Sequence, residues 1–260
     1  MKAPLQVPFD VKLMNVAASA TISLFVVLLA AGGLWWALRH PLFSISGISV
    51  QGDVAHNSAV TLRANVAPRL AGNFFTVNLA DAREAFEAVP WVRKAVVRRE
   101  FPNRLRVRLE EHRPVALWGT DGEARLVNSF GEVFEANLGD VEPEELPRLA
   151  GPDDQAPQVL AMFHALKPLF EPLDLGVDRL TLTARGSWQL ELDSDAVIEL
   201  GRGTTEEVLA RTQRFVQTLN QVTSRYGRRP EALVSADLRH VEGYAVRLRG
   251  VGTTADPAKK

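Results

Sequence analysis

The feature that most constrains this chain is a run of 26 residues, 13–38, without a single charged side chain, bounded by Lys12 and Arg39. It is filled with Leu13, Met14, Ile22, Leu24, Phe25, Val26, Val27, Leu28, Leu29, Leu34, Trp35, Trp36 and Leu38. As a helix, at ~1.5 Å per residue, it reaches ~39 Å, more than the ~30 Å hydrocarbon core of a bilayer. The buried helix of a soluble domain rarely runs so far without a charge. Trp35 and Trp36 stand near one end, where aromatic rings favour the headgroup level. A cleaved signal peptide would have an apolar region of only ~7–15 residues and a small-x-small site after it, and no such site follows. The expectation is a short tail (1–12) and a retained transmembrane helix (13–38).

Lys2 and Lys12 precede the run, and Arg39 is the one basic residue in the 20 positions after it. That bias favours an inside N-terminus, with the bulk of the chain outside. The absence of cysteine fits an oxidising exterior. With 30 basic and 31 acidic residues the chain has no overall field for nucleic acid.

After the span, Phe43, Ile45, Ile48 and Val50 mark a short strand closed by Gly52 and Asp53. Asn57 or Ser58 can cap a helix with the apolar face Ala59, Leu62, Val66 and Leu70. A second helix follows Asn78, with Leu79, Ala82, Phe86 and Val89 on one side, and Pro90 stops it. Residues 94–101 and 104–110 read as a hairpin around Pro102-Asn103; Leu105, Val107 and Leu109 alternate with Arg104, Arg106, Arg108 and Glu110. The order is β-α-α-β-β over 43–111, about the smallest size that folds alone.

From Pro114 the pattern changes. Short strands are expected at 115–118, 125–128 and 133–134, a Pro-rich stretch at 143–157, then a helix through Val159, Phe163 and Leu166. Strands at 177–183, 187–192 and 196–200 precede a long helix opened by a Thr204/Glu207 capping box and closed at Gly227. Its expected seam is Val208, Thr212, Phe215, Leu219 and Val222. Two strands, 233–239 and 244–249, end the second region (112–250), and 251–260 reads as a disordered tail. The fold class is α+β, with the second region mostly antiparallel.

Catalytic and metal chemistry find no support. His40, His56, His112, His164 and His240 show no metal-ligand spacing, and no nucleophile motif is present. The expectation is a non-enzyme with no cofactor and no metal. Gly201-Arg202-Gly203 before a capped helix resembles an anion cradle, but it lacks a P-loop lysine and reads better as a tight strand-to-helix turn. Residues 93–108 hold Arg93, Lys94, Arg98, Arg99, Arg104, Arg106 and Arg108 against Glu100 alone. That face suits anionic lipid headgroups or an acidic partner, and equally a solvated hairpin kept soluble by charge. The last strand has nothing after it to cover it, so it is a candidate acceptor for a partner strand, unless its own Arg247 and Arg249 shield it.

Taken in order, these segments resemble the bacterial cell-division family FtsQ, called DivIB in Gram-positive bacteria. The resemblance runs from the single span through 45–52, then Pro90-Trp91-Val92 and Glu100-Phe101-Pro102-Asn103-Arg104-Leu105, which look like the family's POTRA domain. Glu111-His112-Arg113-Pro114-Val115-Ala116 looks like the hinge into its β domain, and Ser187-Trp188-Gln189-Leu190, Leu200-Gly201-Arg202-Gly203 and Asp237-Leu238-Arg239 continue the match. The resemblance implies a non-enzymatic divisome scaffold in the bacterial inner membrane at the septum. Its partners would be FtsB and FtsL at the β domain, and FtsK, FtsW, FtsI and FtsN. By the same analogy the FtsB strand would be met by Arg185, Arg239, His240, Glu242, Gly243, Tyr244, Ala245, Val246 and Leu248. His240 stands where relatives carry tyrosine, and Leu248 where they carry tryptophan. An anchored cell-wall enzyme would need a convergent polar cluster that is not seen. A POTRA-type polypeptide-handling module for outer-membrane assembly or secretion would bring tandem repeats or a barrel.

Overall fold

The computed structural model describes residues 9–38, 40, 43–52, 54–70, 72–120, 125–240 and 243–252. Helix α1 spans Phe9–Leu38, so it takes in the uncharged run and starts four residues earlier than Leu13. Its Phe9–Trp36 portion is long and apolar enough to cross a membrane, and none of the apolar window is buried against protein. The chain divides into two compact units with the boundary between Glu111 and His112, the first of them including α1.

Beyond α1, the first unit is β1 (Gly47–Gly52), α2 (Ala59–Val66), α3 (Leu79–Glu87), β2 (Val92–Glu100) and β3 (Arg104–Glu111), the expected β-α-α-β-β order. The sheet order is β1-β3-β2, with β1 parallel and β2 antiparallel to β3. Leu62, Val66, Phe86, Val107 and Leu109 fill the core beneath it. The two candidate caps separate cleanly. Ser58 is the N-cap of α2, its hydroxyl accepting from Thr61 N at 3.1 Å. Asn57 is buried instead against Glu111. The carboxylate of Glu111 accepts from the backbone N–H of His56 (3.0 Å) and of Asn57 (3.1 Å), and from Asn57 Nδ2 (3.0 Å). The Trp91 ring stacks on His56 at 3.9 Å. A buried carboxylate is tolerable here because so many donors converge on it.

The second unit carries β4 (Pro114–Trp118), β5 (Arg125–Asn128), β6 (Val133–Phe134), β7 (Arg148–Ala150), α4 (Ala156–Phe170), β8 (Val177–Leu182), β9 (Trp188–Leu192), β10 (Val197–Gly201), α5 (Thr205–Arg225), β11 (Leu233–Asp237) and β12 (Ala245–Leu248). They form one sheet in the order β12-β11-β10-β9-β8-β7-β4-β5-β6. Five of its neighbouring pairs are antiparallel; β4·β7, β7·β8 and β10·β11 are parallel. Two of the parallel pairs are bridged by helices, α4 between β7 and β8 and α5 between β10 and β11, as parallel neighbours require.

Two expectations need correction. The Pro-rich stretch contains β7, whose Leu149 is fully buried in mid-sheet. Three residues between Pro147 and Gly151 are too few to show alternation. The seam of α5 closes on Thr223, not Val222: Val208, Thr212, Phe215, Leu219 and Thr223 are buried, and only a further step of four keeps the stripe on the core. The capping box at Thr204 and Glu207 is present, and Gly227 follows the helix at φ +64°. The expected tail, 251–260, lies outside the described residues beyond Gly252.

Replacing Glu111 with alanine strands three donors in the first unit. That unit should lose about 3 kcal/mol, since each abandoned buried partner costs ~1–3 kcal/mol with partial relaxation. Hydrogen exchange on the full chain should show faster exchange in β1–β3 with β8–β10 unchanged.

Candidate functional site

β12 is the last strand of its sheet, and among the described residues nothing pairs with its outer side. Its register on β11 places Ala245 opposite Asp237, Val246 opposite Ala236 and Arg247 opposite Ser235, with a bulge before Leu233 and Leu248. Side chains alternate as the pleat requires. Leu248 is buried, Tyr244 and Val246 pack against the same core, and Ala245 and Arg247 are exposed on the opposite face. The Tyr244 ring meets Phe215 edge-on at 5.0 Å, and its hydroxyl lies 2.6 Å from Thr218 Oγ1 on α5. These anchors fix the register.

Backbone direction follows from two bonds. Leu238 N–H donates to Glu199 O (2.9 Å), and Arg249 N–H donates to Ala232 O (2.8 Å). By alternation, Ser235, Asp237, Ala245 and Arg247 turn their N–H groups into the β11–β12 ladder. Val246 and Leu248 turn theirs to the open side.

At one end of the sheet runs a groove of about 910 Å³, lined by residues of the β8–β9 turn, the β10–α5 turn, α5 and the end of β11. Its charged lining is Arg185, Arg202, Arg211, Arg214 and Arg239, with His240, against the single acid Glu207. A smaller groove of about 280 Å³ shares Arg211, Arg214, Leu238 and His240 and extends to Gly243 and Tyr244. Arg185 and Arg239, 54 residues apart in sequence, thus line one cleft, with His240 beside them. Gly243 continues the line to the edge. Glu242 lies outside the described residues. Leu248 departs from the expectation: its side chain belongs to the core, leaving only its backbone for a partner.

The sequence pattern alone does not reveal Arg202, Arg211 and Arg214 as part of this cleft. The spacing Glu207, Arg211, Arg214 puts them along one exposed face of α5, the one hint available. Arg211 is a buttress. Its Nη1 donates to Leu200 O (2.6 Å) and its Nη2 to Arg202 O (2.7 Å), so the Gly201-Arg202-Gly203 turn wraps a guanidinium, not an anion. The tight-turn reading holds, and glycine is required for it. Gly201 has φ +81°, and a Cβ there would lie 2.8 Å from Arg239 Cγ and 2.9 Å from Arg211 Nη1. Arg239 itself is held by Asp237 through Nε (2.9 Å) and Nη2 (2.6 Å). Those hydrogen bonds hold the Asp237 carboxyl down to about 2 and push the Arg239 guanidinium up. With its folded pKa depressed, Asp237 contributes stability that is present above its unfolded value and fades as pH falls toward about 2.

Comparison with known proteins assigns both units. Residues 43–112 match the family model described as "POTRA domain, FtsQ-type", and residues 116–239 match "Cell division protein FtsQ/DivIB, C-terminal". The chain belongs to the FtsQ/DivIB family of cell-division proteins. It is similar to the cell division protein FtsQ of Burkholderia pseudomallei, 41% identical over 254 residues that cover 96% of this chain and 99% of the relative. The FtsQ of Thiomonas arsenitoxydans is 39% identical, covering 96% and 91%. That of Bordetella pertussis is 37% identical, covering 92% of each. Family membership supports a role in cell division, and α1 fits a membrane-anchored division protein.

Alanine at Gly201 should destabilise the second unit by about 2–4 kcal/mol, because backbone strain adds to the two collisions. Alanine at Gly186, also at positive φ but in open space, should lose only about 1 kcal/mol. Urea unfolding followed by tryptophan fluorescence separates the two.

Proposed function

We propose that this chain is a non-enzymatic scaffold of the division machinery, whose β domain takes an extended segment of FtsB, in complex with FtsL, as an added strand beside β12. The observation that carries this reading is the open side of β12 together with the basic cleft of Arg185, Arg202, Arg214 and Arg239 at the end of the sheet, which a smaller groove continues to Tyr244 at the start of the strand. An uncovered edge offers main-chain pairing to any extended segment, and side-chain pockets beside it choose which one. Five arginines against one acid favour a segment that is acidic next to its pairing stretch. Among the described residues Arg185, Arg202 and Arg214 have no ion pair, whereas Arg239 is engaged by Asp237, which an incoming carboxylate must match. Tyr244 and the core-bound Leu248 hold the strand still while its Val246 edge pairs.

The chain acts in the bacterial inner membrane at the septum, with its N-terminus in the cytoplasm and the β domain outside. There it links early and late division proteins, among them FtsK, FtsW, FtsI and FtsN, and helps control septal peptidoglycan synthesis. The weak excess of lysine before α1 supports the orientation. The runner-up, a polypeptide-handling POTRA module, has less support, since the first unit matches the FtsQ-type POTRA model and the second matches the FtsQ/DivIB C-terminal model.

Val246→Pro removes a donor from the open side while sparing the bonds to β11, so it should weaken binding of an FtsB peptide at least tenfold with the far-ultraviolet circular dichroism unchanged. Arg185→Glu should weaken it less, because an exposed ion pair contributes only ~0–1 kcal/mol. Unchanged affinity in Val246→Pro would remove β12 from the interface.

A further inference from the structure

One end of the POTRA domain carries an aromatic cluster that neither the core nor the β12 edge uses. Phe43 and Phe75 meet edge-on at 4.9 Å, Phe74 and Phe75 at 5.2 Å, and Phe74 and Phe101 at 6.4 Å. Phe74 is buried, but Phe101 is 79% exposed and Phe75 43% exposed. Phe75 is not on a slack loop. Asn73 Oδ1 accepts from the N–H groups of Phe75 and Thr76, both at 3.0 Å. Arg99 reaches from β2 to donate to Phe74 O and Val77 O, each at 2.7 Å. A fixed turn therefore presents Phe75 to solvent, and the β2–β3 hairpin turn, whose Phe101 ring meets Phe74, presents a second large apolar ring beside it, an arrangement that normally marks a contact surface.

The same end is where the chain arrives from α1. Phe74 N–H donates to Phe43 O (2.8 Å), and Ser46 N–H donates to Asn103 O (2.9 Å) in the hairpin turn. Phe43 follows the end of α1 at Leu38 by five residues, a reach of at most about 18 Å. Trp35 and Trp36 stand in the last turns of α1, where a spanning helix leaves the hydrocarbon.

Charge points the same way. The outer face of the sheet carries Lys94, Val96 and Arg98 on β2 and Arg104, Arg106 and Arg108 on β3, with Arg98 directly opposite Arg106 and Glu100 opposite Arg104. Glu100 is engaged by Arg106, and Glu110 by Arg93 at 2.8 Å. Among the described residues Lys94, Arg98, Arg104 and Arg108 have no ion pair. Exposed aromatics flanked by unpaired cations suit the boundary between acyl chains and anionic headgroups.

We propose that this tip, Phe75 and Phe101 with Arg98 and Arg104, docks on phosphate-bearing lipid headgroups of the bilayer that α1 crosses. The inference rests on reading α1 as a membrane span. Docking holds the POTRA domain down on the membrane.

The natural sequence has no cysteine, so a single one can be placed at will. The full chain carrying Phe101→Cys or, as the distal control on β1, Gln51→Cys is labelled with bimane and reconstituted in phosphatidylethanolamine/phosphatidylglycerol vesicles. A lipid with a headgroup-proximal nitroxide serves as quencher. Quenching at 101 should exceed that at 51 at least threefold, and Arg98→Glu with Arg104→Glu, or Phe75→Ser, should bring it down to the level at 51. Equal quenching at the two sites overturns the proposal. So does quenching at 101 that neither variant changes, since the tether alone then explains it. No quenching at 101 leaves the tip to a protein partner and overturns it as well. Failure of the unlabelled chain to float with the vesicles refutes the span itself.

Discussion

A β-sheet ends in a strand whose outward N–H and C=O groups have no partner inside the sheet, and those groups must bond to water or to another chain. In this protein that constraint falls on β12, and much of the second unit keeps β12 fixed and reachable. Tyr244, Val246 and Leu248 pin one face to α5 and the core, so the strand cannot slip by one residue without exposing all three. The parallel β10–α5–β11 crossover places α5 where Thr218 and Phe215 hold Tyr244. No comparable set of anchors is needed at the other end, where β6 is only two residues long and offers little backbone.

Backbone pairing is indifferent to sequence, so on the proposed reading selectivity has to come from the cleft at the end of the sheet. Five arginine side chains from four separate segments converge there. Like charges so close repel, and the fold offsets this locally. Arg211 is tied to two carbonyls of the glycine turn, and Arg239 to Asp237. Arg185, Arg202 and Arg214 remain to attract a negative segment. Such a field raises encounter rate and rejects basic sequences more than it adds affinity in salt. On the proposed reading the strand and the cleft divide the work, one holding and the other choosing.

Much of this was legible in the residues, for physical reasons that differ by element. The uncharged run, the Leu105/Val107/Leu109 alternation and the Thr204/Glu207 box are local signals, and each appears where the pattern places it. The terminal strand was visible because nothing after it carries a strand pattern. β7 was not, since Arg148-Leu149-Ala150 is held as a strand, with Leu149 buried, by neighbours from distant segments and not by any period of its own. The cleft was half legible. Arg185 and Arg239 came from resemblance, whereas Arg202, Arg211 and Arg214 join them only through the crossover of α5. Leu248 misleads in sequence because its place in the strand is right while its side chain faces inward. The direction of each backbone N–H, which decides what a proline does, follows from the register and from nothing shorter.

Amide hydrogen exchange resolved to single residues, on the full chain with and without an FtsB segment, tests the central claim most directly. In the free chain the Ala245 and Arg247 amides should be protected by β11, with Val246 and Leu248 exchanging faster. The segment should slow Val246 and Leu248 at least tenfold and leave Ala245 and Arg247 nearly unchanged. Binding that leaves the Val246 and Leu248 amides exchanging as before would contradict strand addition at β12.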